Sequence, residues 1–188
     1  MLRWITNFTY KIECHAAEAG AIYQLALGYY QDIIQKEAIL ANITNKDHIL
    51  CIGGGICPFS AILFHQVSGA KVTVIDNNMT CIPKAQRIIN RLGIDDYVHV
   101  LYQDGGSLAI DLSKYSVVHL ALQVAPMDYV FSQIEKQVTV GTKILIRRPK
   151  KSLGSMYNEL LNPLLTCCPY VSHKSRNIGS TLMYAKAQ

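Results

Sequence analysis

The chain has 188 residues, half of them hydrophobic, with a net charge of +5. That length and apolar content suit one substantial α/β domain with a small appendage and exclude a disordered chain. No apolar run approaches the ~18 residues of a membrane span, Met1-Leu-Arg-Trp-Ile-Thr-Asn has no signal-peptide core, and the modest positive charge allows an anionic ligand without requiring nucleic acid, so a cytoplasmic protein without a membrane partner is expected.

Residues 1–45 show no strand alternation. Ile22, Leu25, Ala26, Tyr29, Tyr30, Ile33, Ile34 and Ala38 recur near helical spacing, which predicts a helical cap with its longer helix over 16–41. Asn45-Lys46-Asp47 breaks the pattern, and 46–188 read as the main domain. Strands are predicted at His48–Ile52, Val72–Ile75, Tyr97–Tyr102, Val117–Leu122 and Ile144–Arg147. Helices are predicted from Pro58 to Val67, from an Asn77 or Asn78 cap to Leu92 with Gly93 as the stop, from Pro126 to Gln137, and over 156–165. Val171–Arg176 and Thr181–Ala185 close the chain as a hairpin turning at Asn177-Ile178-Gly179. Strands alternating with helices and ending in a hairpin predict a three-layer α/β sandwich around a Rossmann-like, seven-stranded, mostly parallel sheet with a terminal antiparallel strand. Cys14, Cys51, Cys57, Cys81, Cys167 and Cys168 form no zinc-type pair of pairs, and the histidines are dispersed, so reduced thiols and no metal are expected.

The chemistry concentrates where the first strand runs into Gly53-Gly54-Gly55, followed by Pro58 at the start of a helix. Glycines let a backbone pass close to a ligand, and a helix start presents N–H groups and the positive end of its dipole. Asp76 ends the next strand, where nucleotide-binding α/β folds place the acid that holds ribose hydroxyls. Asp104 ends the third, where an acid can accept from an adenine amino group. Asn77 and Gly105 adjoin these acids. A dinucleotide fold wants a third glycine where Pro58 stands and a second mononucleotide half, and the chain ends in a hairpin instead. The basic cluster Arg147, Arg148, Lys150 and Lys151 offers a guanidinium to a carboxylate or phosphate. It lacks the interleaved aromatic stripe of nucleic-acid binders, so nucleic acid is not the expected partner.

The order glycine loop, Asp76, Asp104, terminal hairpin resembles class I S-adenosylmethionine-dependent methyltransferases, with Cys51 where that family carries an acid and Cys57 where its loop has a last glycine. Gly53-x-Gly55-x-x-Pro58-x-Ser60 more closely resembles the loop of nicotianamine synthases. Tyr30 and Glu37, seven positions apart, are similar to a Tyr and Glu of that family's helical region. Arg147 through Tyr157 resembles its Arg-rich segment, and Ser180–Lys186 its last strand. The resemblance implies S-adenosylmethionine as cofactor, held by Gly53, Gly54, Gly55, Pro58, Asp76, Asn77, Asp104 and Gly105, with loop amides near its carboxylate. It implies Glu37 as a base toward an acceptor amine and Tyr30 as its orienting partner, both on one helix face. His119 and Gln123, in and just after the fourth strand, and Arg147 are the implied contacts to a small-molecule acceptor. The implied activity is transfer to that acceptor. Methyl transfer comes first on family size, 3-amino-3-carboxypropyl transfer releasing methylthioadenosine is the alternative, and a non-catalytic cofactor sensor is a third reading. The apolar and aromatic N-terminal helix also suits a homodimer.

Overall fold

The computed structural model describes residues 20–157 and 165–187. The first part of the 1–45 cap and most of the helix expected over 156–165 lie outside the described residues. The elements, in chain order, are α1 (Gly20–Leu40), β1 (His48–Ile52), α2 (Phe59–Ser68), β2 (Lys71–Asp76), α3 (Ile82–Leu92), β3 (Val98–Tyr102), β4 (Val117–Leu120), α4 (Met127–Gln137), β5 (Lys143–Pro149), β6 (Tyr170–Ser172) and β7 (Ile178–Ala185). A short 3-10 segment over Lys151–Met156 follows β5.

The sheet has seven strands in the order β3-β2-β1-β4-β5-β7-β6. The first five are parallel, and β7 runs antiparallel between β5 and β6. The period-2 alternation of a strand divides its side chains between two layers. Ile49, Cys51, Val117 and Leu145 face a core shared with α1, α2 and α3. Leu50, Ile52, Val118, Leu120, Ile144 and Ile146 face the core around Phe131 and Ile134 of α4. Central strands covered on both faces are continuously apolar for this reason, and β4 is buried at every residue. Helix α1 places Ile34 in the same core as β1 and α2, so the described part of the cap and the sheet share one apolar layer.

Local chemistry moves several boundaries. Asn78 accepts from the Thr80 N–H at 3.1 Å and from the Thr80 hydroxyl at 2.7 Å. That side-chain turn occupies the expected cap, and α3 starts at Ile82. Strand β4 stops at Leu120, two residues early. The closing turn lies before Ile178, whose N–H donates to Ser175 Oγ at 3.0 Å. Gly179 lies within β7, because a Cβ there would sit 2.8 Å from the Pro149 carbonyl oxygen, at the register shift between Arg148 and Pro149. The expected strand over 171–176 is correspondingly reduced to Tyr170–Ser172.

Candidate functional site

Strand β1 lies between β2 and β4, and the connections leave it in opposite directions, so a crevice opens at the C-terminal ends of these strands. A cleft of ≈ 360 Å³ occupies it, within the size range of small-molecule sites. Of the residues singled out in the sequence, Tyr30, Gly53, Gly54, Gly55, Pro58, Asp76, Asn77, Asp104, Gly105, His119, Gln123 and Arg147 line this cleft, whereas Glu37 does not.

One end is built by the glycine turn and the two strand-end acids. Gly53 and Gly55 have φ of 85° and 63°, a region that side chains disfavour. A Cβ on Gly54 would lie 2.2 Å from Val74 Cγ1, so the turn packs directly onto β2. The loop amides point to protein atoms. Gly53 and Gly54 donate to the Ile75 carbonyl at 2.9 and 3.3 Å, and Gly55 donates to Asp76 Oδ2 at 2.7 Å. The loop amides expected near a ligand carboxylate are thus engaged within the protein; the glycines are required chiefly by backbone conformation and close packing. Asp76 Oδ1 accepts from the Asn78 N–H at 2.9 Å. Each ionised carboxylate oxygen has room for a second donor, so Asp76 is held rigid while still able to accept from the cleft. Asp104 Oδ1 accepts from Gly106 N–H at 2.8 Å, a local turn that fixes its side chain at the rim. Gly105 is pinned beneath it, with Ile52 Cγ2 2.7 Å from where its Cβ would be.

The other end is organised by a buried ion pair. Glu37 of α1 is 0% exposed. Its Oε1 accepts from Arg147 Nε at 2.8 Å and from Thr181 Oγ1 at 2.6 Å, and its Oε2 accepts from Arg147 Nη2 at 2.9 Å. Arg147 Nη1 reaches back to Ser60 Oγ at 2.9 Å, and the guanidinium lies 5.5 Å from the Tyr30 ring centroid, which stacks on Phe59 at 5.8 Å. Burial pushes the Glu37 carboxyl up, but the Arg147 charge and the hydrogen bonds from Arg147 and Thr181 outweigh it and leave the group below its usual value. Burial also disfavours the Arg147 cation, and the Glu37 charge more than reverses this. A carboxylate held by a fork of two N–H donors and a hydroxyl, buried and outside the cleft lining, has its lone pairs directed to protein donors. The base expected at Glu37 is, in this geometry, the anchor that orients Arg147.

His119 borders the same network. It is 1% exposed, and neither ring nitrogen has a hydrogen-bond partner. Its Nε2 stands 3.7 Å from Glu37 Oε2, too far for a hydrogen bond. Burial first, then the Arg147 charge, pushes its pKa down to about 3, so the ring is neutral and any pull of a protonated His119 on Glu37 is absent near pH 7. Gln123 is exposed at the rim. The sequence reading missed Thr181, Tyr29 and Asn177. Asn177 N–H donates to Tyr29 Oη at 3.4 Å, joining α1 to the start of β7 beside the cleft. Thr181 carried one signal, a hydroxyl at the start of the predicted last strand. Among the described residues no group of three or more His, Cys, Asp or Glu could hold a metal, and no helix is long and apolar enough to cross a membrane.

No protein-family model matches the chain, and no curated protein matches it in sequence. Solved structures do match. A point variant of MtNAS, a nicotianamine synthase, in complex with S-adenosylmethionine superimposes with a TM-score of 0.81 at 21% identity, covering 99% of this chain and 76% of that one. MtNAS in complex with MTA and tNA gives 0.79 at 22% identity, covering 97% and 73%. An RNA methyltransferase from Salinibacter ruber, in complex with S-adenosyl-L-homocysteine, gives 0.66 at 16% identity, covering 84% and 92%. The chain therefore has the Rossmann-like fold that MtNAS shares with S-adenosylmethionine-dependent methyltransferases.

Proposed function

We propose that the cleft binds S-adenosylmethionine and that the protein transfers its 3-amino-3-carboxypropyl group to a small amine. The observation that carries the cofactor assignment is Asp76, clamped by two backbone N–H groups at the mouth of the Gly53–Gly55 turn with acceptor capacity left for a ribose diol. The residues suit the cofactor. Gly53 is exposed at the cleft floor and presents no side chain to a ligand, and Asn77, Asp104 and Gly105 frame the space beside Asp76 where a base would lie. Pro58 starts α2 behind the loop. When bound, the cofactor supplies an activated carbon: the acceptor nitrogen forms a C–N bond to it as the C–S bond breaks, the electron pair leaves with methylthioadenosine, and the nitrogen's proton goes to solvent.

The chain's own part is placement. His119, neutral and unpartnered, can accept an N–H of the acceptor and so turn its lone pair toward the cofactor. Tyr30 forms the wall opposite, held against Phe59 and Arg147. Gln123 supplies a polar contact at the rim. Arg147 stays charged because Glu37 is ionised beneath it, and it sets the potential of that end. We assign Glu37 as a positioning residue.

The likeness to MtNAS extends over nearly the whole chain, including α1 and β7, which build this acceptor end, and this favours aminocarboxypropyl transfer. Methyl transfer is the second reading, favoured by the shared methyltransferase fold. Chromatography after incubation with S-adenosylmethionine and a panel of amines tests both. Methylthioadenosine above its spontaneous background is expected. S-adenosylhomocysteine would establish methyl transfer instead, and cofactor bound without turnover would favour a sensor.

A further inference from the structure

We infer that His173 is a positioning residue for the acceptor end of the cleft: its Nε2–H, donated to Thr181, orders a chain of buried hydrogen bonds that holds Arg147 in the cleft wall. The inference rests on the proposal that an acceptor enters this end. The chain begins at Glu37, whose ionised oxygens can only accept. Thr181 Oγ1 lies 2.6 Å from Glu37 Oε1 and therefore donates its single proton there. His173 Nε2 lies 2.8 Å from the same hydroxyl oxygen. With the hydroxyl proton committed, that oxygen is left to accept, and Nε2 must carry the hydrogen. A carboxylate on α1 thus dictates the tautomer of a ring just beyond the end of β6. Nδ1 is then a bare acceptor, and it has no partner. Burial holds His173 below its usual pKa, with the Arg147 and Lys36 charges acting the same way and those of Glu37 and Asp32 against it.

The chain leads to the cleft. Glu37 takes Arg147 Nε and Nη2, which leaves Nη1 to reach Ser60 Oγ at 2.9 Å. Arg147 and Ser60 line the cleft, whereas His173, Thr181 and Glu37 stand outside its lining. His173 therefore acts at one remove from any ligand. Its backbone works on the same end. The His173 N–H donates to the Gly179 carbonyl at 2.9 Å, closing the turn that carries Asn177 and Ile178, both in the cleft lining. One residue so ties the turn at the mouth to the ion pair beneath it. Thr181 and Glu37 satisfy each other without an imidazole. The ring adds a donor that polarises the hydroxyl toward Glu37, and it carries the unmatched Nδ1, which is costly when buried. An apolar ring would avoid that cost, and what the imidazole supplies instead is the N–H.

The test uses variants of the full chain. His173→Phe keeps a ring without the donor, His173→Gln places an amide N–H near the Nε2 position, and Thr181→Val removes the hydroxyl. Nuclear magnetic resonance of nitrogen-labelled wild type should show His173 as the Nε2–H tautomer at pH 7, a result that needs no variant to fold. The Arg147 Nε–H should exchange with water about tenfold faster in His173→Phe than in the wild type, and His173→Gln should restore slow exchange. Adding His173→Phe to Thr181→Val should change that exchange by less than about twofold, because the link is already cut. With an amine that the wild type turns over, His173→Phe should raise the acceptor KM about tenfold and leave the S-adenosylmethionine KM within about twofold. An Nδ1–H tautomer, or Arg147 exchange unchanged in His173→Phe, overturns the inference. An equal rise in both KM values also overturns it, since a general loss of structure would do the same. Faster Arg147 exchange in His173→Phe, with no transfer to any amine by the wild type, would support the positioning of Arg147 and reject the proposed function.

Discussion

Glu37→Gln tests the buried ion pair directly. The substitution keeps the shape but removes the charge and turns one acceptor oxygen into an NH₂ group. Both carboxylate oxygens accept from Arg147, so that group would face an Arg147 N–H donor in either orientation, and in one of them the Thr181 hydroxyl as well, at 2.6–2.9 Å. Arg147 cannot deprotonate to compensate, and at 4% exposure it meets little water that could replace the lost partner. Breaking a buried pair by removing one partner typically costs ~3–5 kcal/mol. For a domain of this size that corresponds to a fall in Tm of about 6–20 °C. The assay is thermal and urea unfolding followed by circular dichroism, with the urea midpoint falling and the slope unchanged. A Glu37→Leu/Arg147→Met double variant should recover part of the loss, because it leaves no buried charge. If Glu37→Gln unfolds within about 2 °C of the wild type while turnover collapses, Glu37 is a catalytic base and the anchoring account is wrong.

Asp76→Ala should weaken S-adenosylmethionine binding by at least ~10-fold in calorimetry, since two hydrogen bonds to a charged acceptor are lost; unchanged affinity would remove the ribose assignment. Gly54→Ala should destabilise the fold by about 1–3 kcal/mol in urea unfolding, because its Cβ would meet Val74 at 2.2 Å; a variant as stable as the wild type would show that β2 yields easily. His119 predicts an acid-stability difference. Its folded pKa of about 3 lies below the unfolded ~6.5, so between these values the unfolded chain takes up the proton and stability falls as pH falls. The contribution is ~1.4 kcal/mol per pH unit. His119→Phe, which keeps the edge contact with Phe64, should flatten urea stability between about pH 6 and 4, and a profile parallel to the wild type would show that His119 is not buried neutral.

The alternation of apolar strands with helices between Gly and Pro punctuation is a local property, and it was enough to determine the strand series, the layer architecture and the mouth formed by Gly53–Gly55, Asp76 and Asp104. Those residues act at strand ends, where their place follows from the strand itself. Boundaries set by competing side-chain turns, as at Asn78, were less legible, because the winner depends on a local hydrogen bond that periodicity does not report. Gly179 reads as a turn residue in sequence, yet it is needed inside β7 by the neighbouring Pro149 carbonyl, a contact made across 30 positions. The partner of Glu37 was decided only by the tertiary structure. A glutamate and a tyrosine on one helix face look alike whether they meet substrate or protein, and the arginine that claims Glu37 lies 110 residues away. The antiparallel return of β7 beside β5 brings Arg147, Thr181 and Glu37 into one dry layer, where a carboxylate is stable only as half of a pair. That long-range pairing is the ground on which Glu37, expected as a base, is proposed as an anchor.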